Sequence, residues 1–201
     1  TPGIFLDTKT NVIIKNFIIK NACNGIDFRN SYSSSIIDNT LSDNFDTGIF
    51  ASGDNLSISG NIVTSVVDSD YGILFYSSGN ALVENNNVSN VIRGISSEDE
   101  GTALIKNNII DSARGYGIFV YSKFNEVESN TVTNSNVGIE VVRNNHKVFN
   151  NVVSNGNIGI ECNSQNTYGS DQGHQIFENT ISNNQATGLV GCSYAKIFHN
   201  N

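Results

Sequence analysis

The chain has almost none of the residues that most folds use for punctuation and gap-filling. Among 201 residues there is one proline, Pro2, and no methionine or tryptophan. Proline turns are therefore excluded, and the chain must turn on other residues that tolerate tight or left-handed backbone. Charge is also scarce. Charged residues make up 15% of the chain, 19 acids against 11 bases, for a net charge of −8 and an isoelectric point near 4.7. So acidic a chain lacks the cations of a phosphate-binding surface, and no nucleic-acid partner is expected. No apolar run approaches the roughly 18 residues of a membrane span, and no basic-then-apolar leader opens the sequence, so no membrane span is expected. The three cysteines are an odd number, so at least one thiol is free or pairs outside the chain.

What fills the gap is asparagine, with 33 residues. Such a bias calls for a structure that uses Asn repeatedly. Aligned on itself, the chain repeats an apolar residue, Asn three positions later, and a second apolar residue two beyond that. The Asn positions are Asn16, Asn39, Asn61, Asn86, Asn108, Asn130, Asn151, Asn179 and Asn200, preceded at three residues by Ile13, Ile36, Ile58, Val83, Ile105, Val127, Val148, Ile176 and Ile197. A second mark, Gly-Ile, recurs at Gly25, Gly48, Gly72, Gly94, Gly117, Gly138 and Gly159, with Gly-Leu at Gly188. Spacings of 21 to 28 residues are too short for helical repeats, and the residues are wrong for leucine-rich repeats, because Ile and Val dominate while Leu is scarce. The pattern predicts an all-β solenoid, a right-handed single-stranded parallel β-helix of about nine coils of roughly 22 residues. Stacked Asn side chains can pass amide hydrogen bonds along such a rod as a ladder. The Gly of each Gly-Ile then marks either positive φ or a close approach. Right-handed coiling is the sense expected for crossovers between parallel strands.

The Gly-Ile-x-apolar strand followed by apolar-x-x-Asn-x-apolar resembles the repeat of the pectin lyase-like superfamily over essentially the whole chain. The resemblance implies a single parallel β-helix domain, extracellular polysaccharide chemistry, and a secreted or cell-surface location. It does not bring that superfamily's catalytic signatures. The Asp-Pro-His motif of mannuronan epimerases is absent, as are the Asp-Asp pair and the Arg-x-Lys element of polygalacturonase-like hydrolases. Asp27, Glu98, Glu140, Glu161 and Arg29 are the residues able to supply lyase-like chemistry, with no motif marking them.

Strand alternation locates a candidate surface. With Ile inward, one outward column reads Asp27, Phe50, Leu74, Ser96, Phe119, Glu140, Glu161, Val190, and the next reads Arg29, Ser52, Tyr76, Glu98, Tyr121, Val142, Asn163, Cys192. Its aromatic centre suits a sugar ring, so Phe50, Tyr76, Glu98, Phe119 and Tyr121 are expected to bind substrate. Alternatively, the rings form a stabilising ladder or a contact with another chain. The longest departure from the repeat, Asn163 to Gly173, predicts a loop that brings Tyr168, Asp171 and His174 beside Glu140 and Glu161. Those two acids on adjacent coils can form an acid and base pair with His174, or hold a cation between them. No cofactor is evident, and Ca²⁺ is the ion such carboxylates would accept.

His146 and His199 are expected at the surface of coil turns. Cys162 is expected inward, while Cys192 falls one residue out of register and points outward, so a bond between them requires a local bulge. Asn55 and Asn87 match the N-glycosylation pattern, a weak signal in so Asn-rich a chain. Both ends of the sequence lie inside the repeat, so further coils or partner subunits are expected there. The expected function is a polysaccharide-binding β-helix with lyase, hydrolase or epimerase activity as an extension. The rival is a non-catalytic structural or adhesive solenoid.

Overall fold

Each coil of about 22 residues contributes one short strand to each of three parallel sheets. The computed structural model describes residues 1–65, 70–98, 101–121, 123–163, 173–192 and 195–201. Among these, the first sheet has nine strands, from Ile4–Asp7 to Thr187–Val190, and the second has nine, from Ile13–Lys15 to Lys196–Phe198. The third has eight, from Ile18–Lys20 to Thr180–Ser182. No helix among the described residues is long and apolar enough to cross a membrane.

Like residues stack on like. In the first sheet Ile26, Ile49, Ile73, Ile95, Ile118, Ile139 and Ile160 are in register and fully buried. Ile36, Ile58, Val83, Ile105, Val127 and Val148 do the same in the second sheet, and Leu41, Val63, Val88, Ile110, Val132 and Val153 in the third. Each such side chain contributes roughly 1.5–3 kcal/mol of burial, and the three stripes form one continuous core.

The turn between the second and third sheets carries the Asn ladder. Asn108 is typical: its Nδ2 donates to Val83 O at 2.9 Å, Lys106 O at 3.0 Å and Asn130 Oδ1 at 3.0 Å. Its Oδ1 accepts from both the backbone N and the Nδ2 of Asn86, each at 3.0 Å. The same links run from Asn39 through Asn200. The expected first rung, Ile13–Asn16–Ile18, is corrected. Ile14 pairs with Ile36, so Ile14 is 3% exposed and Ile13 is 67% exposed. The ladder position of that coil is held by Phe17, whose N–H donates to Asn39 Oδ1 at 3.0 Å, and Asn16 takes a left-handed turn instead. The ladder thus begins at Asn39.

Left-handed residues explain the rest of the asparagine. The residue before each ladder Asn has positive φ, as in Asp38, Asn85, Asn107, Ser129 and Asn150, and a second set at Asn21, Asp43, Asn90, Ser112, Asn134, Asn155 and Asn183 turns the chain after the third sheet. Asn tolerates this conformation better than most residues. The Gly-Ile glycines lie within strands, where close approach is what requires them. A Cβ on Gly117 would meet Val132 Cγ1 at 2.3 Å and Gly138 O at 2.6 Å.

Two further expectations are corrected. His146 is buried, not on the surface, because a second short ladder runs before the second sheet: His146 Nδ1 accepts from Asn125 N, and His174 Nδ1 accepts from His146 N, both at 3.3 Å. Cys192 turns back to bond Cys162, because Gly191 at φ +76° supplies the bulge that the register otherwise forbids. Cys23 is the free and exposed thiol.

Asn108→Ala removes ladder donors and acceptors without removing the backbone groups they satisfied. The expected loss is about 2–4 kcal/mol, measurable by equilibrium denaturation, and an exposed turn substitution such as Asn134→Gly serves as the near-neutral control. The disulfide joins residues 30 apart. A reductant should therefore lower stability by about 3–4 kcal/mol, read as a drop in melting temperature that a Cys162→Ala and Cys192→Ala double variant no longer shows.

Candidate functional site

The outer face of the first sheet gathers most of the chemically distinctive side chains. Strand pairing sets the expected columns in register, Asp27 beside Phe50, Leu74 beside Ser96, Phe119 beside Glu140, and Glu140 beside Glu161. The centre is organised by Arg93. Its Nη1 donates to Tyr71 Oη at 2.5 Å and lies 3.4 Å from Glu98 Oε1, while its guanidinium stands 5.0 Å from the Tyr71 ring centre and 5.8 Å from those of Tyr116 and Phe119. Glu98 also accepts from Tyr76 Oη at 3.0 Å. The Phe119 ring stacks on Tyr121 at 6.3 Å, and Arg143 covers Tyr121 at 4.5 Å. At the other end Asp27 holds Arg29 through two bonds of 2.6 and 2.8 Å, Arg29 covers Phe50 at 5.3 Å, and Phe50 packs on Tyr76 at 5.7 Å.

Between these groups lies a depression of about 170 Å³, lined by Arg93, Tyr116, Phe119, Tyr121, Glu140 and Asn163. Glu140 forms its floor and is 2% exposed. One carboxylate oxygen accepts from Asn163 Nδ2 at 2.9 Å, and the other is buried with no hydrogen-bond partner of good geometry. Burial raises its pKa above the ordinary carboxylate range, and the Glu161 charge adds to this; Asn163, Tyr116 and Arg93 oppose it without prevailing. The Tyr116 hydroxyl is also held above its usual value, first by burial and then by the charges of Glu140 and Glu161.

Residues 2–153 match the family of the right-handed β-helix region. The chain belongs to the right-handed β-helix family. Its coiling therefore has the expected hand. Among solved structures it is similar to the periplasmic alginate epimerase AlgG, with a TM-score of 0.80 and 21% identity over 93% of this chain. A double mutant of that epimerase matches with a TM-score of 0.78 and 20% identity. The chain spans about half the length of these structures, covering 50% of each, and the likeness is one of fold. Among curated proteins none matches the sequence.

On this β-helix, Phe50, Tyr76, Glu98, Phe119, Tyr121, Glu140 and Glu161 all stand on the one face. His174 does not join them. It is 1% exposed and stacked on His146 at 5.2 Å inside the coil turn, away from the depression. Tyr168 and Asp171 lie outside the described residues. Among the described residues no group of three or more His, Cys, Asp or Glu is arranged to hold a metal.

Arg93, Tyr71 and Tyr116 were not expected at the site, and the glycines explain why. Strict alternation from Ile95 places Gly94 outward and Arg93 inward. A Cβ on Gly94, however, would meet the core residue Ile110 at 2.7 Å, so Gly94 also faces inward at the corner and Arg93 emerges on the outside. The residue before each Gly-Ile is thus a third outward column, which contributes Asn24, Tyr71, Arg93 and Tyr116.

Because folding favours the protonated form of Glu140, its contribution to stability is present below the ordinary carboxylate range, about pH 4, and is lost as pH rises through the raised value. Glu140→Gln is therefore expected to be more stable than the parent at about pH 7–8, with the difference vanishing below about pH 4. Thermal melts across that range check it; a variant less stable at neutral pH would indicate a carboxylate that is paired rather than penalised.

Proposed function

We propose that the outer face of the first sheet binds a carboxylated polysaccharide outside the cytoplasm. The observation that carries this reading is the placement of arginine. The chain has four arginines and a net charge of −8, yet Arg29, Arg93 and Arg143 all stand on this face, each seated on aromatic rings. A guanidinium is the cation best matched to a carboxylate, and an aromatic ring beside it takes the apolar face of a sugar. Neighbouring acids and amides at Glu98, Glu161 and Asn163 supply partners for hydroxyl groups. The fold likeness to an alginate epimerase, whose polymer is a uronate, supports the same class. The Cys162–Cys192 bond supports a secreted, cell-surface or periplasmic location, since such bonds persist in oxidising compartments.

Processing of the bound polymer is the extension of this reading. In it Glu140, whose carboxyl holds its proton to higher pH than an ordinary one, is the acid toward a sugar in the depression, with Tyr116 beside it as a second proton-bearing group. In this reading Glu161, paired with Glu140 on the adjacent coil, is the base.

Alginate and polygalacturonate are the probes, with binding followed by calorimetry at several salt concentrations. Binding should weaken with salt, and Arg93→Ala should weaken it about tenfold. Polyuronate binding that is absent, or indifferent to Arg93→Ala, overturns the proposal. If binding is present, release of unsaturated ends or exchange of ring hydrogen with solvent should disappear in Glu140→Gln; unchanged turnover removes Glu140 from any catalytic role.

A further inference from the structure

We infer that the turn preceding the second sheet carries a separate site for a neutral sugar ring, built around Phe124. Phe124 has φ +58° and is 59% exposed. At the corresponding position of five other coils stand Asn11, Ser33, Asn55, Asn145 and Gly173, all with positive φ and all small or αL-tolerant, while Asn80 and Thr102 hold it without positive φ. A phenylalanine there is a steric outlier, because its Cβ crowds the backbone while the residue stays mostly exposed. Strained residues that persist without packing benefit cluster where a side chain is used.

The surroundings indicate the use. Phe124 borders a cavity of about 230 Å³ floored by Ala103 and Leu104 and rimmed by Asn80, Thr102 and Glu126. Thr102 Oγ1 donates to Asn80 Oδ1 at 2.7 Å, which fixes the amide so that its NH₂ group faces the other way. Glu126 is matched by Lys147 Nζ at 2.6 Å, so the rim carries no surplus charge of either sign. A rigid aromatic platform, an oriented amide, a hydroxyl and a neutralised carboxylate make a set of donors and acceptors for sugar hydroxyls, with a ring for the apolar sugar face. The volume lies below the range for drug-sized ligands and fits a single sugar unit. The absence of surplus positive charge selects a neutral sugar, in contrast to the arginine-rich face of the first sheet. Phe124 follows Tyr121 by three residues in the same turn, so the site adjoins that face without sharing its residues.

The test uses the whole chain with cellohexaose, mannohexaose and xylohexaose as probes, followed by saturation-transfer NMR and calorimetry. At least one probe should bind with little dependence on salt. Phe124→Asn should reduce that affinity tenfold or more while raising the melting temperature by about 2–4 °C, since Asn relieves the left-handed strain. Phe124→Tyr should retain binding, and Arg93→Ala should leave it unchanged, which separates this site from the polyuronate face. Failure of all three probes to bind overturns the inference, as does binding that survives Phe124→Asn.

Discussion

A buried amide that must hand its hydrogen bonds to the next coil sets the phase of the whole rod. Each ladder Asn satisfies backbone carbonyls of its own coil and the preceding one, and is in turn satisfied by its neighbour, so a coil shifted by one residue would bury an unpaired amide. The hydrophobic stripes alone would tolerate some slippage, since Ile and Val exchange at little cost. The amides do not. With that turn pinned, insertions are accommodated elsewhere. The separation between successive ladder residues varies from 21 to 28, while the strands flanking the ladder keep their pairing.

Pinning one turn places the others. Because the first sheet begins at a corner crowded against the third, the residue before its first core Ile or Leu must be glycine, and the residue before that glycine is pushed to the outside. Arg93 therefore reaches the face from a position that a simple inside-outside count assigns to the core. The cation that centres the site is there because of a steric requirement at Gly94, one residue before the core stripe. The same corner gives Tyr71 and Tyr116 their places on either side of it.

Most of the architecture was legible in the sequence, because the constraint that builds it repeats. Three apolar stripes, a ladder and a glycine recur in nearly all coils, and repetition averages out local ambiguity. Where the repeat is locally ambiguous, reading it alone fails. The doublets Ile13-Ile14 and Ile18-Ile19 satisfy the pattern in two phases, and only pairing with Ile36 and Leu41 selects one. His146 reads as a surface residue and His174 as a member of the site, yet both are ladder members, because an imidazole nitrogen can replace an amide oxygen as acceptor for the preceding coil's N–H. Cys192 looked misdirected because a single left-handed glycine changes the direction of a chain without altering its composition. The columns of the face were readable for the residues after Gly-Ile and unreadable for those before it.

Inward and outward residues answer to different requirements, and this bears on what fold likeness can carry. The ladder, the stripes and the corner glycines leave the outer positions of the first sheet almost free. Two β-helices can then share a TM-score of 0.80 at 21% identity while presenting unrelated faces. The absence of Asp-Pro-His from this chain is one instance of that freedom. What the face does has to be judged from its own groups. An acidic chain that concentrates arginine on one sheet, over rings and beside a buried acid, meets a desolvation cost that the core does not require. A carboxylated ligand would meet the guanidinium edges that Asp27 and Glu98 leave open, since the Arg29 and Arg93 side chains stay 49% and 35% exposed, and it would reach Glu140, whose carboxyl burial makes harder to ionise.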